Sequence, residues 1–553
     1  MIASRGRQPA PRRTGLNAAP NTRSRLGAAA LAALMGLSAV APAWAQTPNA
    51  VRLPALGEGA SADLSVNQER RLGDAILREG RRDPAFLDDP ILLDYIQQLY
   101  APLLAAARQR GDIEPDIDSA FAWEIFLIND RSVNAFALPG GYVGVHLGLI
   151  ALTTTSDALA SVLAHELTHV TQRHIARSIA PQQQASLLAV AGLLLGVLAA
   201  SRATNGGGID GANAAIMGGQ AAAIQTQLNF TRAMEREADR VGFGLLADAG
   251  YNTNGMAQMF EKLDLANRLN DTNGFPYLRT HPLTSDRITE ARNRVLAAPM
   301  APPLPTLRHA VMQARARVLM DPSAQGLARL SGESSSPAAT DQIGARIAGA
   351  LAASRLKDAP RAERLATDAR AMAAALPARD TEAERALLLM HAELRQAAGD
   401  TRGALALLDT LAPSAPRSTM RAPMLLRAQL LLDLHRASPG AEAAPLRAST
   451  EALQTWVSEH PNDATAWERL AGTAEALGLS LRAKRAAAEA RAVLGDLPGA
   501  IDRFRVAQQA ARGAAGQQDF IEASIIDARL RQLMLQRREL QLEARGGGRE
   551  GPP

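Results

Sequence analysis

The residues of this chain best placed to do chemistry are two histidines four positions apart with a glutamate beside the first: His165-Glu166-Leu167-Thr168-His169. On an α-helix, positions i and i+4 project from one face, so both imidazoles can reach a single divalent cation. Glu166 stands about 100° round the axis and can act as general base on a water at that cation. This HExxH geometry implies metal-assisted hydrolysis. The neighbouring Leu159, Val162, Leu163 and Val170 are apolar, which implies a helix buried in a core rather than two solvated histidines. Catalytic zinc takes three protein groups and keeps one position open, so two histidines leave the site one donor short. The chain has no cysteine, and the missing donor is therefore a carboxylate or a third histidine. The longer motif that adds Gly at 172 and His at 175 is excluded by Gln172 and Ile175. What is left is a His₂Glu pattern.

The segment Met234-Glu235-Arg236-Glu237-Ala238-Asp239 supplies two carboxylates, Glu235 and Asp239, at i and i+4 on a second helix. One can bind the metal and the other can hydrogen-bond a ligand from behind. Alone, such a pair reads as a solvated charged face; beside an HExxH short of one carboxylate it does not. His174 falls about 140° round the helix from His169, cannot share its face, and is assigned a structural role. His146, His309, His391, His435 and His460 carry no partner pattern.

These side chains need helices to hold them, and the composition supplies helix formers. Of 553 residues, 47% are hydrophobic but only 3% aromatic, with Ala and Leu carrying the apolar share, so the chain is predicted to be mainly α. Wholesale disorder is excluded. Sixty Lys+Arg against 55 Asp+Glu give a net charge of +5, too small for a nucleic-acid footprint. Helical spacing runs from about 65 to 118. Phe121, Trp123, Ile125 and Leu127 then alternate, Asn134 to Leu138 resumes, and Pro139-Gly140-Gly141 turns into Tyr142 to Val145, a small antiparallel sheet. The HExxH helix opens with a capping-box spacing, Thr154-x-x-Asp157, and runs to Pro181. The second helix runs from about Gln227 to Ala249 and stops at Gly250, and a short one covers Ser285 to Leu296.

Six arginines precede residue 26 without one acidic residue, an apolar run from Leu26 to Val40 follows, and Ala43-Trp44-Ala45 is a small-x-small cleavage site. Residues 1–45 thus read as a signal peptide, with a membrane anchor as the competing reading; absence of cysteine suits export to a periplasm. Residues 46–298 are predicted to be the catalytic domain. Within them an Ala/Gly-rich insertion, 183–226, contains the apolar run Ala185 to Ala200, read as a lid beside the site or as a membrane-contacting segment. Prolines 299, 302, 303 and 305 mark a linker at 299–310, residues 311–545 a helical domain, and 546–553 a disordered tail. Trp467, Leu470, Ala471, Gly478, Ala483, Ala487 and Ala490 match one tetratricopeptide unit, and a Gly-Asp cadence recurs at 399–400 and 495–496. The alternative is an irregular helical domain.

HExxH followed by ExxxD, with Asn134-Ala135-Phe136 and Pro139-Gly140-Gly141 ahead and Thr280-His281-Pro282 behind, resembles the zinc peptidases that include the CAAX-prenyl protease and the heat-shock membrane protease. The signal peptide and the C-terminal helices resemble the periplasmic branch of that family that assists β-barrel assembly in the outer membrane. The resemblance implies a gluzincin-type metallopeptidase domain followed by a TPR-like repeat domain, and one Zn2+ on His165, His169 and Glu235. It implies Glu166 as general base, Asp239 as proton donor, and His281 as a fourth ligand or resting-state cap. Hydrogen-bonding a ligand is the physically better role for Asp239.

The expected reaction is hydrolysis of a peptide bond, with an extended substrate pairing along an edge strand near Asn134 and Ala135 or Tyr142 and Val143. Expected partners are unfolded or misassembled outer-membrane proteins and, through the repeats, the β-barrel assembly machinery, with peripheral membrane contact and no nucleic acid. The competing reading is a scaffold or chaperone whose helical domain does the work while the protease is latent.

Overall fold

In a computed structural model of the chain, the described residues are 64–178, 231–269, 276–297, 304–330, 332–411, 421–438, 443–512 and 519–546. The predicted signal peptide, the predicted 183–226 insertion and the residues beyond 546 lie outside them.

Ser65 opens α1 (Val66–Gly80) with a capping box: its hydroxyl accepts from the Gln68 N–H, and the Gln68 side chain accepts from the Ser65 N–H. After the short β1 (Phe86–Leu87), Asp89 caps α2 (Pro90–Arg110), which ends on left-handed Gly111. Its apolar spacing puts Ile91, Leu92, Tyr95, Ile96, Leu99 and Leu103 in the core, as predicted. Next come α3 (Pro115–Ala120), β2 (Glu124–Ile128), β3 (Ala135–Leu138) and β4 (Tyr142–His146).

The four strands form one sheet in the order β1-β2-β4-β3. Gly140 and Gly141, at φ +77 and +92, make the tight turn of the β3–β4 hairpin, and β4 then lies between β3 and β2, parallel to β2 from Glu124↔Tyr142 to Ile128↔His146. The sheet is therefore mixed, where an antiparallel one was predicted. Alternation announces a strand but not its neighbour; the clue was that every β4 residue is buried, as an interior strand requires. This also corrects the predicted substrate edge. Tyr142 and Val143 belong to a strand hydrogen-bonded on both sides; the outer strands among the described residues are β1 and β3, and β3 holds Ala135 with Asn134 just before it.

Helix α4 (Leu147–Leu152) leads to α5 (Ser156–Thr171), which carries the HExxH segment. Its cap is Thr155, one residue later than predicted, accepting from the Ala158 N–H at 3.1 Å. Asp157 instead accepts from the backbone N–H of Asn252 at 2.8 Å. The helix also ends ten residues short of Pro181: Arg173 sits at φ +52, and a separate short helix, α6 (His174–Ser178), follows. Thr231 caps α7 (Arg232–Asp248), and Gly250 at φ +81 ends it as predicted; the predicted start at Gln227 lies outside the described residues. Helices α8 (Asn254–Leu269), α9 (Pro276–Thr280) and α10 (Ser285–Ala297) complete this part.

Beyond it every described element is a helix, from Leu307–Met320 to Phe520–Gly546. Residues 307–310, predicted as linker, are the first turn of a helix capped by Thr306. The Gly-Asp cadence has a plain cause. Gly399 and Gly495 are left-handed residues just past one helix, while Asp400 and Asp496 cap the next.

This helical region is keyed to the first part by two adjacent aspartates at the start of α2. Asp88 pairs with Arg421 at 2.7 and 2.8 Å, and Arg421 also holds Asp463. Asp89 receives the Arg315 guanidinium at 2.7 to 2.9 Å, with both side chains under 10% exposed. Arg315→Met is expected to strand a buried carboxylate and cost about 3–5 kcal/mol, read as a lower urea midpoint at unchanged m-value.

Candidate active site

Helix α5 is buried along almost its whole length, so its polar residues are shielded from water: His165, Glu166 and His169 are 2%, 0% and 0% exposed. Burying three ionisable groups on one helix is costly unless they are paired or coordinate an ion. Helix α7 lies across α5, and Glu235, Asp239 and Gly242 fall at i, i+4 and i+7, on one face. Gly242 sets the approach: a Cβ there would come within 3.2 Å of the Ala164 carbonyl oxygen. Both carboxylates are thereby pressed against the histidines.

The four side chains His165, His169, Glu235 and His281 converge, each offering one donor atom, all within 4.8 Å of one another. His165 Nε2 is 3.0 Å from His169 Nε2 and 3.3 Å from His281 Nδ1, and Glu235 Oε1 is 2.9 Å from His281 Nδ1. The Glu235 oxygens are 3.5 Å from Nε2 of both α5 histidines. Imidazole nitrogens turned on one another around a carboxylate form the donor set of a soft-to-borderline divalent cation such as Zn2+. These residues fit the metal.

Glu166 stands beside this cluster rather than in it, with Oε1 3.5 Å from His281 Nε2. Neither of its oxygens has a hydrogen-bond partner of good geometry. Burial lifts its carboxyl above the usual range, against the pull of His281 and His165. A buried, under-bonded carboxylate next to a cation site is suited to taking and returning a proton. Strand β3 packs against α5 here, which brings an edge of the sheet, unpaired among the described residues, alongside Glu166.

Asp239 faces the other side of His165, 3.1 Å from its Nδ1. Arg287 of α10 clamps it with two hydrogen bonds of 2.7 and 2.8 Å. Burial alone would lift Asp239, but Arg287 and His165 outweigh it and hold the carboxylate below its usual range. An acid so held is suited to orienting His165. Arg287 also reaches Glu235 Oε2 at 2.8 Å and the Pro282 carbonyl at 2.9 Å, tying both carboxylates of α7 to the His281 turn.

His281 follows α9 directly, its N–H donating to the Tyr277 carbonyl at 2.8 Å and its ring stacked on Tyr277 at 4.7 Å. Sequence reasoning found neither Arg287 nor Tyr277, since neither stands at a diagnostic spacing from the motif. It also misjudged His174: the break at Arg173 returns this side chain to 2.9 Å from His169 Nδ1, and its Nε2 is 3.1 Å from Glu237. Burial lowers the His174 pKa to about 4, so the ring is neutral. Of the predicted site residues, His165, Glu166, His169, Glu235, Asp239 and His281 come together, while Tyr142 and Val143 do not join them at an edge.

Residues 101–295, which include every residue of this cluster, match the model of Peptidase family M48. The chain is 41% identical over 282 residues to a putative beta-barrel assembly-enhancing protease of Vibrio cholerae, covering 50% of this chain and 54% of that one. It is 36% identical over 266 residues to the beta-barrel assembly-enhancing protease of Escherichia coli K12, covering 48% and 51%. The mitochondrial metalloendopeptidase OMA1 of Saccharomyces cerevisiae is 27% identical over 198 residues, covering 35% and 53%. The chain thus spans about half the length of the curated relatives it matches. Buried histidines, a carboxylate and a general-base candidate thus converge within residues 101–295, the stretch that matches Peptidase family M48, a family of zinc metallopeptidases.

Proposed function

We propose that this chain is a zinc-dependent metalloendopeptidase that cuts extended segments of unfolded or misassembled polypeptides, acting in the quality control of outer-membrane β-barrel proteins. The observation that carries the reading is the convergence of His165, His169 and Glu235 in one buried cluster with Glu166 beside it. In this reading the two histidines and Glu235 hold the zinc, and His281 is a fourth donor or resting-state cap.

When bound, zinc supplies Lewis acidity for the scissile carbonyl and lowers the pKa of the attacking water. Glu166 takes the proton of that water and delivers it to the leaving amine. Asp239 orients His165, and Arg287 keeps Asp239 ionised. The free edge of β3 receives the substrate as an added strand, with Asn134 and Ala135 at its start; main-chain hydrogen bonding of this kind selects extended chain over folded protein. His281 must leave the centre before a substrate carbonyl can enter, which restrains the enzyme.

The relatives named for enhancing β-barrel assembly support an outer-membrane substrate class and a periplasmic location. No described helix is long and apolar enough to cross a membrane. We take 1–45 as the signal peptide, 46–298 as the peptidase part and 311–545 as repeats that contact substrate or the β-barrel assembly machinery. The second reading, a helical scaffold with a latent protease, draws on the buried packing of those helices against α2 and α4. The test of the first is hydrolysis of a denatured polypeptide by the full chain. Activity is expected to vanish on chelation and to return with Zn2+ at one equivalent; cleavage that survives zinc removal would overturn it.

A further inference from the structure

Each histidine of the HExxH segment has a second ring nitrogen facing away from the metal cluster, and the two are served differently. Behind His165 stands Asp239, 3.1 Å from Nδ1, itself clamped by Arg287. Behind His169 stands another imidazole: His174 Nδ1 is 2.9 Å from His169 Nδ1. His174 Nε2 is in turn 3.1 Å from Glu237 Oε2, and Arg177 Nη1 is 3.2 Å from the same oxygen. Resting on the metal-site reading above, we propose that His174 and Glu237 are a positioning pair that holds His169 in the tautomer and ring orientation its ligand role requires.

The proton accounting allows one arrangement. If Nε2 of His169 is to present a lone pair to a cation, its proton sits on Nδ1 and must be donated outward. His174 Nδ1 can accept only as a bare nitrogen, so the His174 proton sits on Nε2, where Glu237 accepts it. Glu237 is an obligate acceptor when ionised, and Arg177 Nη1 donates to the same oxygen. An acid at the surface end therefore dictates the tautomers of two buried rings in series.

The backbone is bent to make this contact. On a continuous helix His174 would point about 140° away from His169. It reaches His169 only because Arg173 adopts φ +52, a conformation non-glycine residues avoid. Arg173 is kept there by Glu69 at 2.9 Å and by the Leu64 carbonyl. A strained residue fixed from two sides, next to a ring that bonds the motif histidine, marks a position where geometry is set for function.

The test compares zinc affinity by chelator competition, and the visible spectrum of the cobalt-substituted protein, for wild type, His174→Phe, His174→Asn and Glu237→Leu, using the full chain. His174→Phe keeps the ring volume and removes the acceptor; zinc affinity is expected to fall about 10- to 100-fold with an altered cobalt spectrum. His174→Asn retains an oxygen near the Nδ1 position and is expected to recover most of the affinity. Glu237→Leu, at a partly exposed side chain, should weaken zinc in the same direction, and the double variant with His174→Phe should lose no more than His174→Phe alone. Unchanged affinity and spectrum in both His174→Phe and Glu237→Leu, or losses that simply add, would overturn the pair. A wild-type chain that binds no zinc overturns the metal site itself, and the pair with it.

Discussion

Replacing Glu166 with Gln is expected to lower kcat for a denatured polypeptide by about 10²–10⁴-fold while zinc content stays at the wild-type level. The amide has the shape of the carboxylate but cannot accept a proton. Glu166 lies outside the donor cluster, so the exchange leaves His165, His169 and Glu235 in place. It is fully buried and its oxygens are under-bonded, so few hydrogen bonds are lost and the fold should hold. Steady-state cleavage and metal analysis on the same preparation check both halves. Cleavage near the wild-type rate would mean that another group takes the proton. If the variant still rescues an outer-membrane assembly defect in cells, the scaffold reading gains the larger share of the biology.

Glu235→Gln separates metal binding from proton transfer. A neutral amide oxygen is a poor substitute for an anionic ligand, and the expected loss of zinc affinity exceeds the 10- to 100-fold typical of an outer-shell partner. The purified variant should carry well under one equivalent of zinc and show no activity. Arg287 loses one of its two carboxylates, Glu235, but its paired hydrogen bonds to Asp239 remain and should keep α7 seated against α10. A normal far-ultraviolet spectrum and a thermal midpoint close to that of the zinc-free wild type check this. Retention of stoichiometric zinc would identify His281 as the third ligand, because its Nδ1 is the remaining donor within reach.

How much of this could be read from the residues depends on how local the cause is. The i, i+4 pairs His165/His169 and Glu235/Asp239 were legible because helical periodicity alone puts each pair on one face. One stop was legible from a local cause as well, since Gly250 ends its helix in a conformation that glycine favours, whereas the HExxH helix opens one residue later and ends ten residues earlier than its pattern suggested. The sheet order was not, because β4 pairs with a strand that precedes its own hairpin, and nothing in Tyr142 to His146 names that partner. His174 was misread through an assumption of helical continuity that one residue, Arg173, violates. Arg287 was invisible, since its worth to Asp239 exists only once α10 has docked against α7. His281 was found through family resemblance, its reach to the cluster being a matter of tertiary packing.

The grip of Arg315 and Arg421 on Asp89 and Asp88 bears on how this polypeptide could be taken apart. Cutting it at the prolines would leave the amino-terminal piece with two stranded acids and an uncovered flank at α4, while the carboxy-terminal piece would keep Arg315 on Glu393 and Arg421 on Asp463, each short of one acid. Neither fragment is thus a ready-made cassette. A helical array borrowed from another protein would have to bring its own pair of arginines, at matching positions, before it could dock on this catalytic half.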